Sequence, residues 1–151
     1  METILVSACL LGENTKYNGG NNYDKKIELV KEKFDIIPVC PECLGGLKTP
    51  RLPSERKGDY VFNSKGKDVT NNYLEGSRKV KNVARYCRVK KAILMERSPS
   101  CGVHQIYNGY FVNKLVDGEG FTTQELKKNG VECYTLDEFI EKFISNEEEN
   151  K

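Results

Sequence analysis

Short apolar runs alternate along the chain with stretches of helical periodicity. ILVSAC (4–9), FDIIPVC (34–40) and AILMERSPSC (92–101) each lead from apolar residues to a cysteine. They read as strands, the second covering 35–40 and the third 91–96, and 131–134 makes a short fourth. Between the first two, the stripe Tyr23, Ile27, Val30 and Phe34 steps by four, three and four, the period of a helix. A second helix fits 70–88, with the stripe Tyr73, Ser77, Val80, Ala84 and Cys87 and with Asp68 or Thr70 as its N-cap. Residues 106–116 read as a hairpin-like excursion or an ordered loop. Thr122 with Glu125, and Thr135 with Glu138, have capping-box spacing. The first opens a helix closed by Gly130, and the second a last helix carrying Leu136, Phe139, Ile140, Phe143 and Ile144. The Gly/Asn-rich segment 12–22 and the Pro/Gly-rich segment 41–53 read as loops without regular structure.

Alternating strand and helix patterns give βαβ units whose strands all point the same way. The expected fold is therefore a single Rossmann-like α/β domain over 1–145, with a small, mainly parallel sheet of about four strands flanked by helices. Residues 146–151 are expected to be a charged, frayed tail. In such a sheet the strand ends share one edge, where ligands bind near the point at which strand order reverses. Cys9, Cys40 and Cys101 converge there. Three thiols with a fourth position open suit a metal cluster, while zinc and plain packing are the other readings of the same placement.

The bulk properties narrow the class. A chain of 151 residues with 38% hydrophobic and 30% charged residues is long enough for one core, and a net charge of +2 does not by itself imply nucleic-acid binding. Met1 and Glu2 lead directly into a strand pattern, with no basic leader and no stretch long enough to cross a bilayer, so a cytoplasmic protein without membrane partners is expected. In a reducing compartment, six cysteines point to thiol chemistry or metal ligation rather than a disulfide framework.

Several groups of residues could carry that chemistry. Cys40-Pro-Glu-Cys43 is a CxxC, but Leu44-Gly-Gly does not begin the helix a redox dithiol needs, and no second close pair completes a four-cysteine zinc site. Arg97-Ser-Pro-Ser-Cys-Gly102 follows a strand directly and forms a tight turn whose donors can serve a thiolate or cluster. Glu42 is placed to act as a general acid or base, and Ser98 and Ser100 can position a reactant or cap the turn. Cys87 and Cys133 read as packing residues, and Cys43 fits either role. His104, the only histidine, offers no ligand spacing. Seven basic residues and no acid lie between Arg78 and Lys91; this reads as a solvated face, with RNA phosphates the sharper alternative.

Taken together, the motifs at 7–12 (SACLLG), 17–20 (YNGG), 39–42 (VCPE), 44–47 (LGGL), 49–51 (TPR), 66–70 (GKDVT), 97–102 (RSPSCG) and 106–109 (IYNG) resemble the thiouracil desulfidase family over nearly the whole chain. The resemblance implies a [4Fe–4S] cluster held by Cys9, Cys40 and Cys101, with the fourth iron open to the thiocarbonyl sulfur of a substrate. It implies a hydrolytic desulfidase that converts a thiolated pyrimidine such as 2-thiouracil to the oxo base and releases sulfide, assisted by Glu42 and by Ser100 or Ser98. The implied partner is a small thiolated nucleobase or nucleotide. Thiolated tRNA is the less favoured substrate, and a non-enzymatic iron–sulfur or zinc protein is the rival of another class. Cys43 stands where the family motif usually has another residue, and Asn108 where it often has Asp.

Overall fold

The computed structural model describes residues 1–145, so the expected tail at 146–151 lies outside the described residues. The first apolar run is β1 (Thr3–Ser7), which passes straight into a 3₁₀ turn, Ala8–Leu11. Then come α1 (Ile27–Lys31), β2 (Asp35–Val39) and the one-turn helix α2 (Pro41–Leu44). An antiparallel hairpin, β3 (Ser54–Lys57) and β4 (Tyr60–Asn63), precedes the long helix α3 (Thr70–Tyr86) and β5 (Lys91–Ile93). A second hairpin, β6 (Gln105–Tyr107) and β7 (Leu115–Asp117), leads to α4 (Phe121–Lys128) and β8 (Glu132–Tyr134). The last helix, α5 (Leu136–Ile140), continues as a π-helical turn, Glu141–Ser145.

Strands β2-β1-β5-β8 form a four-stranded sheet in that order, parallel at every pairing. Ile4, Leu5 and Val6 of the central β1 have no exposed surface, as a parallel sheet covered on both faces requires. The two-residue period divides them. Leu5 packs with Val80 and Ala84 of α3 and Leu126 of α4. Ile4 and Val6 pack on the other face with Ile27 and Val30 of α1 and with Leu136 and Phe139 of α5. Burying each such side chain contributes about 1.5–3 kcal/mol. The result is the expected Rossmann-like architecture, a parallel sheet between two helical layers.

The chain leaves β1 for β2 on one side and returns to β5 on the other, so the strand order reverses between β1 and β5. The carboxyl ends of these strands splay apart there and leave a crevice. Among the described residues, no helix is long and apolar enough to cross a membrane.

Several local expectations are corrected. Helix α1 starts at Ile27, not Tyr23, because Asn21 and Asp24 side chains accept from the amides of Tyr23 and Lys26 and hold this stretch in turns. The third strand stops at Ile93, since the Met95 amide donates to Ser7 Oγ at 2.9 Å instead of to a strand. Pro41 does not exclude helix; it occupies the first turn of α2, where its missing N–H costs nothing. Residues 54–63 form a hairpin that no strong apolar alternation marks. The Thr122–Glu125 capping box is absent, because Thr122 Oγ1 turns inward to Ser77 Oγ at 2.9 Å. Cys87 is exposed and not packed: Arg88 enters the left-handed region at φ 56° and ends the helix there. The Thr135–Glu138 box is formed as expected, and 105–117 is the expected hairpin.

Two glycines let α2 lie directly on α3. A Cβ on Gly45 would stand 2.0 Å from Asn72 O, and one on Gly76 would stand 1.9 Å from Pro41 O. No side chain fits at either position, and the two backbones meet.

Candidate active site

The crevice is a cleft of about 510 Å³ whose wall includes Cys9, Cys40, Cys101, Glu42, Ser98 and Ser100. Each arrives by a different local device. Cys9 lies in the 3₁₀ turn after β1, Cys40 caps the N-terminus of α2 after β2, and Cys101 ends the turn that follows β5. The strand-end cysteines therefore do converge. Cys43 does not line the cleft; its Sγ lies 3.5 Å from Thr49 Oγ1 and 4.0 Å from Arg51 Nη1, and its thiol is also a hydrogen-bond partner of the Cys40 thiol one helical turn before it. His104 is turned away to Glu138, with Nε2 2.9 Å from the carboxylate. Cys133, in β8, is partly buried and packs against the core.

The turn carrying Ser98, Ser100 and Cys101 is fixed from both sides. Ser98 Oγ accepts from the amides of Ser100 and Cys101, both at 3.1 Å, while Gly102 N donates to Ser98 O at 2.8 Å. The first amides of α4 are capped by this turn: Phe121 N donates to Pro99 O at 3.0 Å and Thr122 N to Ser100 O at 2.9 Å. Thr123 Oγ1 donates to Cys101 O at 3.0 Å. Glu96 anchors the return of the chain by accepting from the amides of Val103, His104 and Gln105.

Burial raises the pKa of all three thiols. It pushes Cys101 up to about 12, partly offset by hydrogen bonds from Ser100 and Ser7, and pushes Cys40 up to about 11. Cys9 is raised by burial and lowered by Asn22, whose Nδ2 donates to its Sγ at 3.5 Å. The Glu42 carboxylate acts on all three in the raising direction. Such thiols are protonated on their own and lose their protons to a metal, whose charge inverts the local balance. The Ser100 hydroxyl, whose one proton can point either to Cys101 Sγ at 3.6 Å or to Glu42, and Asn22 are the outer donors available to metal-bound sulfur. Among the described residues, no three His, Cys, Asp or Glu side chains close on a single-ion position. Three thiols spread around a cleft suit a multi-iron cluster, in which each thiolate binds its own iron.

Glu42 sits in the first turn of α2 with four donor groups within hydrogen-bond reach. Oε1 receives Tyr73 OH at 2.7 Å and Arg51 Nε at 3.3 Å; Oε2 receives Ser100 Oγ at 3.3 Å and Ser98 Oγ at 3.5 Å. The pair with Arg51 is largely withdrawn from water, with the side chains only 16% and 9% exposed. Burial, and then Glu42 itself, hold the Tyr73 hydroxyl well above the usual tyrosine range, so it stays a donor. Arg51 is tied to the scaffold through Nη2 to Thr15 O at 2.8 Å and Nη1 to Thr49 Oγ1 at 2.9 Å.

Sequence context does not mark Arg51, Tyr73, Asn22 or Ser7 as site residues. Tyr73 looks like one more residue of an apolar stripe, and Arg51 stands out only as part of the Thr-Pro-Arg motif. The basic run is partly neutralised by acids outside it: Glu75 pairs with Arg78, Glu125 with Lys81 and Glu2 with Lys91.

Three comparisons bear on the family. The chain is 40% identical over 137 positions to the uncharacterized protein YbbK of Bacillus subtilis (strain 168), covering 84% of this chain and 91% of that protein. A solved structure of the [4Fe-4S]-dependent thiouracil desulfidase TudS superposes with a TM-score of 0.87 at 38% identity, covering 93% of this chain and 95% of that one. The family model described as 2-thiouracil desulfurase matches residues 4–138, which include every cleft residue discussed above. With that match over most of its length, the chain belongs to the 2-thiouracil desulfurase family.

Proposed function

We propose that this protein is a [4Fe–4S]-dependent desulfidase that hydrolyses the C=S group of a thiolated pyrimidine such as 2-thiouracil to C=O and releases sulfide. The observation that carries the reading is the meeting of Cys9, Cys40 and Cys101 with Glu42 in one cleft at the strand-order reversal. Cys9, Cys40 and Cys101 are assigned as the cluster's ligands, leaving one iron open. When bound, the cluster supplies a Lewis acid with affinity for soft thiocarbonyl sulfur.

The protein's own groups manage the water and its protons. Arg51 and Tyr73 hold Glu42 by Oε1, which leaves Oε2 on the side of the two serines as the proton-accepting oxygen. Glu42 takes a proton from the attacking water as its oxygen bonds to the carbon bearing sulfur, and returns that proton to the departing sulfur. The second water proton leaves as the carbonyl forms. Oxygen ends on the base, both protons end on sulfide, and no net electron transfer occurs. Ser100 and Ser98 orient Oε2, with Ser98 also committed to the turn's amides. A 510 Å³ cleft has the dimensions of a small-molecule site, which favours a free base or nucleotide over tRNA.

Anaerobic purification with iron and acid-labile sulfide assays, followed by sulfide release from 2-thiouracil, tests the proposal. Zinc in place of iron, or no sulfide from iron-loaded protein, overturns it.

A further inference from the structure

Beyond the cysteines the cleft wall includes three aromatic residues, Tyr17, Tyr107 and Phe111. Phe111 is set apart by its backbone. It sits at φ 56°, a region bulky residues rarely enter, with Gly109 at φ 95° and Asn113 at φ 57° on either side. Glu55, also in the wall, holds this loop in place: its Oε1 accepts from Gly109 N at 3.1 Å and from Phe111 N at 3.2 Å. A Cβ on Gly109 would meet Lys57 Cβ at 2.7 Å and Arg56 O at 2.9 Å, so the loop is pressed against β3. Lys57 Nζ lies 4.3 Å from the Tyr110 ring centroid, which ties the neighbouring aromatic to the same strand. Phe111 keeps 38% of its surface exposed, and among the described residues its ring stacks on no other.

Backbone strain persists only where the surroundings over-determine it, and it concentrates at ligand sites. Here a carboxylate and a close-packed glycine fix an apolar ring at a cleft wall that is otherwise rich in thiols, hydroxyls and charges. The flat face of such a ring receives a planar heterocycle whatever its exocyclic groups. We infer that Phe111 is the stacking platform for the pyrimidine ring and so a substrate-binding residue, with Glu55 a positioning residue that fixes its loop. The inference rests on the desulfidase reading for the identity of that ring.

The test uses the full chain in two arms. In the first, iron-loaded wild type, Phe111→Ala, Phe111→Leu and Phe111→Tyr are assayed on 2-thiouracil with their iron content measured. KM rises about tenfold in the Ala and Leu variants and stays near wild type in the Tyr variant. In all three kcat holds within about twofold. Glu55→Ala raises KM in the same way, and Glu55→Gln, which keeps an acceptor oxygen, restores it. In the second arm, saturation-transfer NMR follows uracil binding to the cluster-free protein; transfer is lost in the Ala and Leu variants and kept in the Tyr variant. A Leu variant equal to wild type shows that Phe111 only fills space and overturns the inference. If wild type releases no sulfide from 2-thiouracil, the functional reading fails, and the uracil arm still decides: transfer unchanged by Phe111→Leu, or absent in wild type, overturns the role of Phe111.

Discussion

Tyr73, fully buried in the first turn of α3, donates its hydroxyl hydrogen to Glu42 Oε1 at 2.7 Å. The longest helix of the fold thus reaches across to a carboxylate carried by one of the shortest. Tyr73→Phe keeps the ring and removes only that donor, leaving Oε1 to Arg51. A hydrogen bond to a charged group contributes about 1.5–3 kcal/mol, and we expect thermal stability to fall accordingly. Turnover should fall about tenfold or more while iron content stays at the wild-type level, because the lost donor orients the proton carrier and touches no thiol.

The six cysteines should separate cleanly by iron content. Cys9→Ser, Cys40→Ser and Cys101→Ser are expected to lose the cluster. Cys87→Ser and Cys133→Ser should retain it, as should Cys43→Ser, whose sulfur adjoins Cys40 but is held by Thr49 and Arg51 and does not line the cleft. Iron and sulfide assays with visible absorption spectra after anaerobic purification decide each case. Loss of iron in Cys43→Ser would make that residue a ligand and close the open position.

Gly120 tests the brace behind the serine turn. A Cβ there would lie 2.3 Å from Ser100 C and 2.7 Å from Cys101 N, both backbone atoms with nowhere to move. Gly120→Ala should destabilise the fold by about 1–3 kcal/mol, as overpacking does. It should also displace Ser100 and Cys101 together, so that iron binding and sulfide release decline in the same variant. Denaturant unfolding and iron content measured on one preparation check both.

Acid sensitivity is predicted at the start of α5. Burial tends to raise the Glu138 carboxyl, but the Thr135 amide and His104 outweigh it and hold the group below its ordinary value of 4.5. A carboxyl depressed in the folded state stabilises fully above its unfolded pKa and loses that contribution as pH falls through the folded one. Melting temperature should therefore drop below about pH 4.5, and Glu138→Gln should flatten that limb of the profile. Thermal melts from pH 3 to 6 on both proteins measure it.

Those elements that depend on local pattern were the legible ones. The runs ending in Cys9, Cys40 and Cys101 are strands followed by turns, and parallel strands must bring such endings to one edge. Thr135 and Glu138 form their capping box because both partners are three residues apart. Features that depend on distant contacts were not legible. A four-residue helix such as α2 has no stability of its own, and docking on α3 sustains it. Thr122 has the spacing of a cap, yet Ser77, 45 residues away, takes its hydroxyl. Arg51 sits in a segment with no periodicity, so nothing nearby in sequence announces that its guanidinium meets Glu42.

The backbone contact at Gly45 and Gly76 has a consequence for how such a site changes over time. Cys40 and Glu42 ride on the same helical turn, and that turn has no freedom to slide or tilt on α3. The proposed cluster ligand and the proposed proton carrier are therefore inherited as one module. Retuning the chemistry must come from the opposite wall, where loops of other strands can vary while this one stays still.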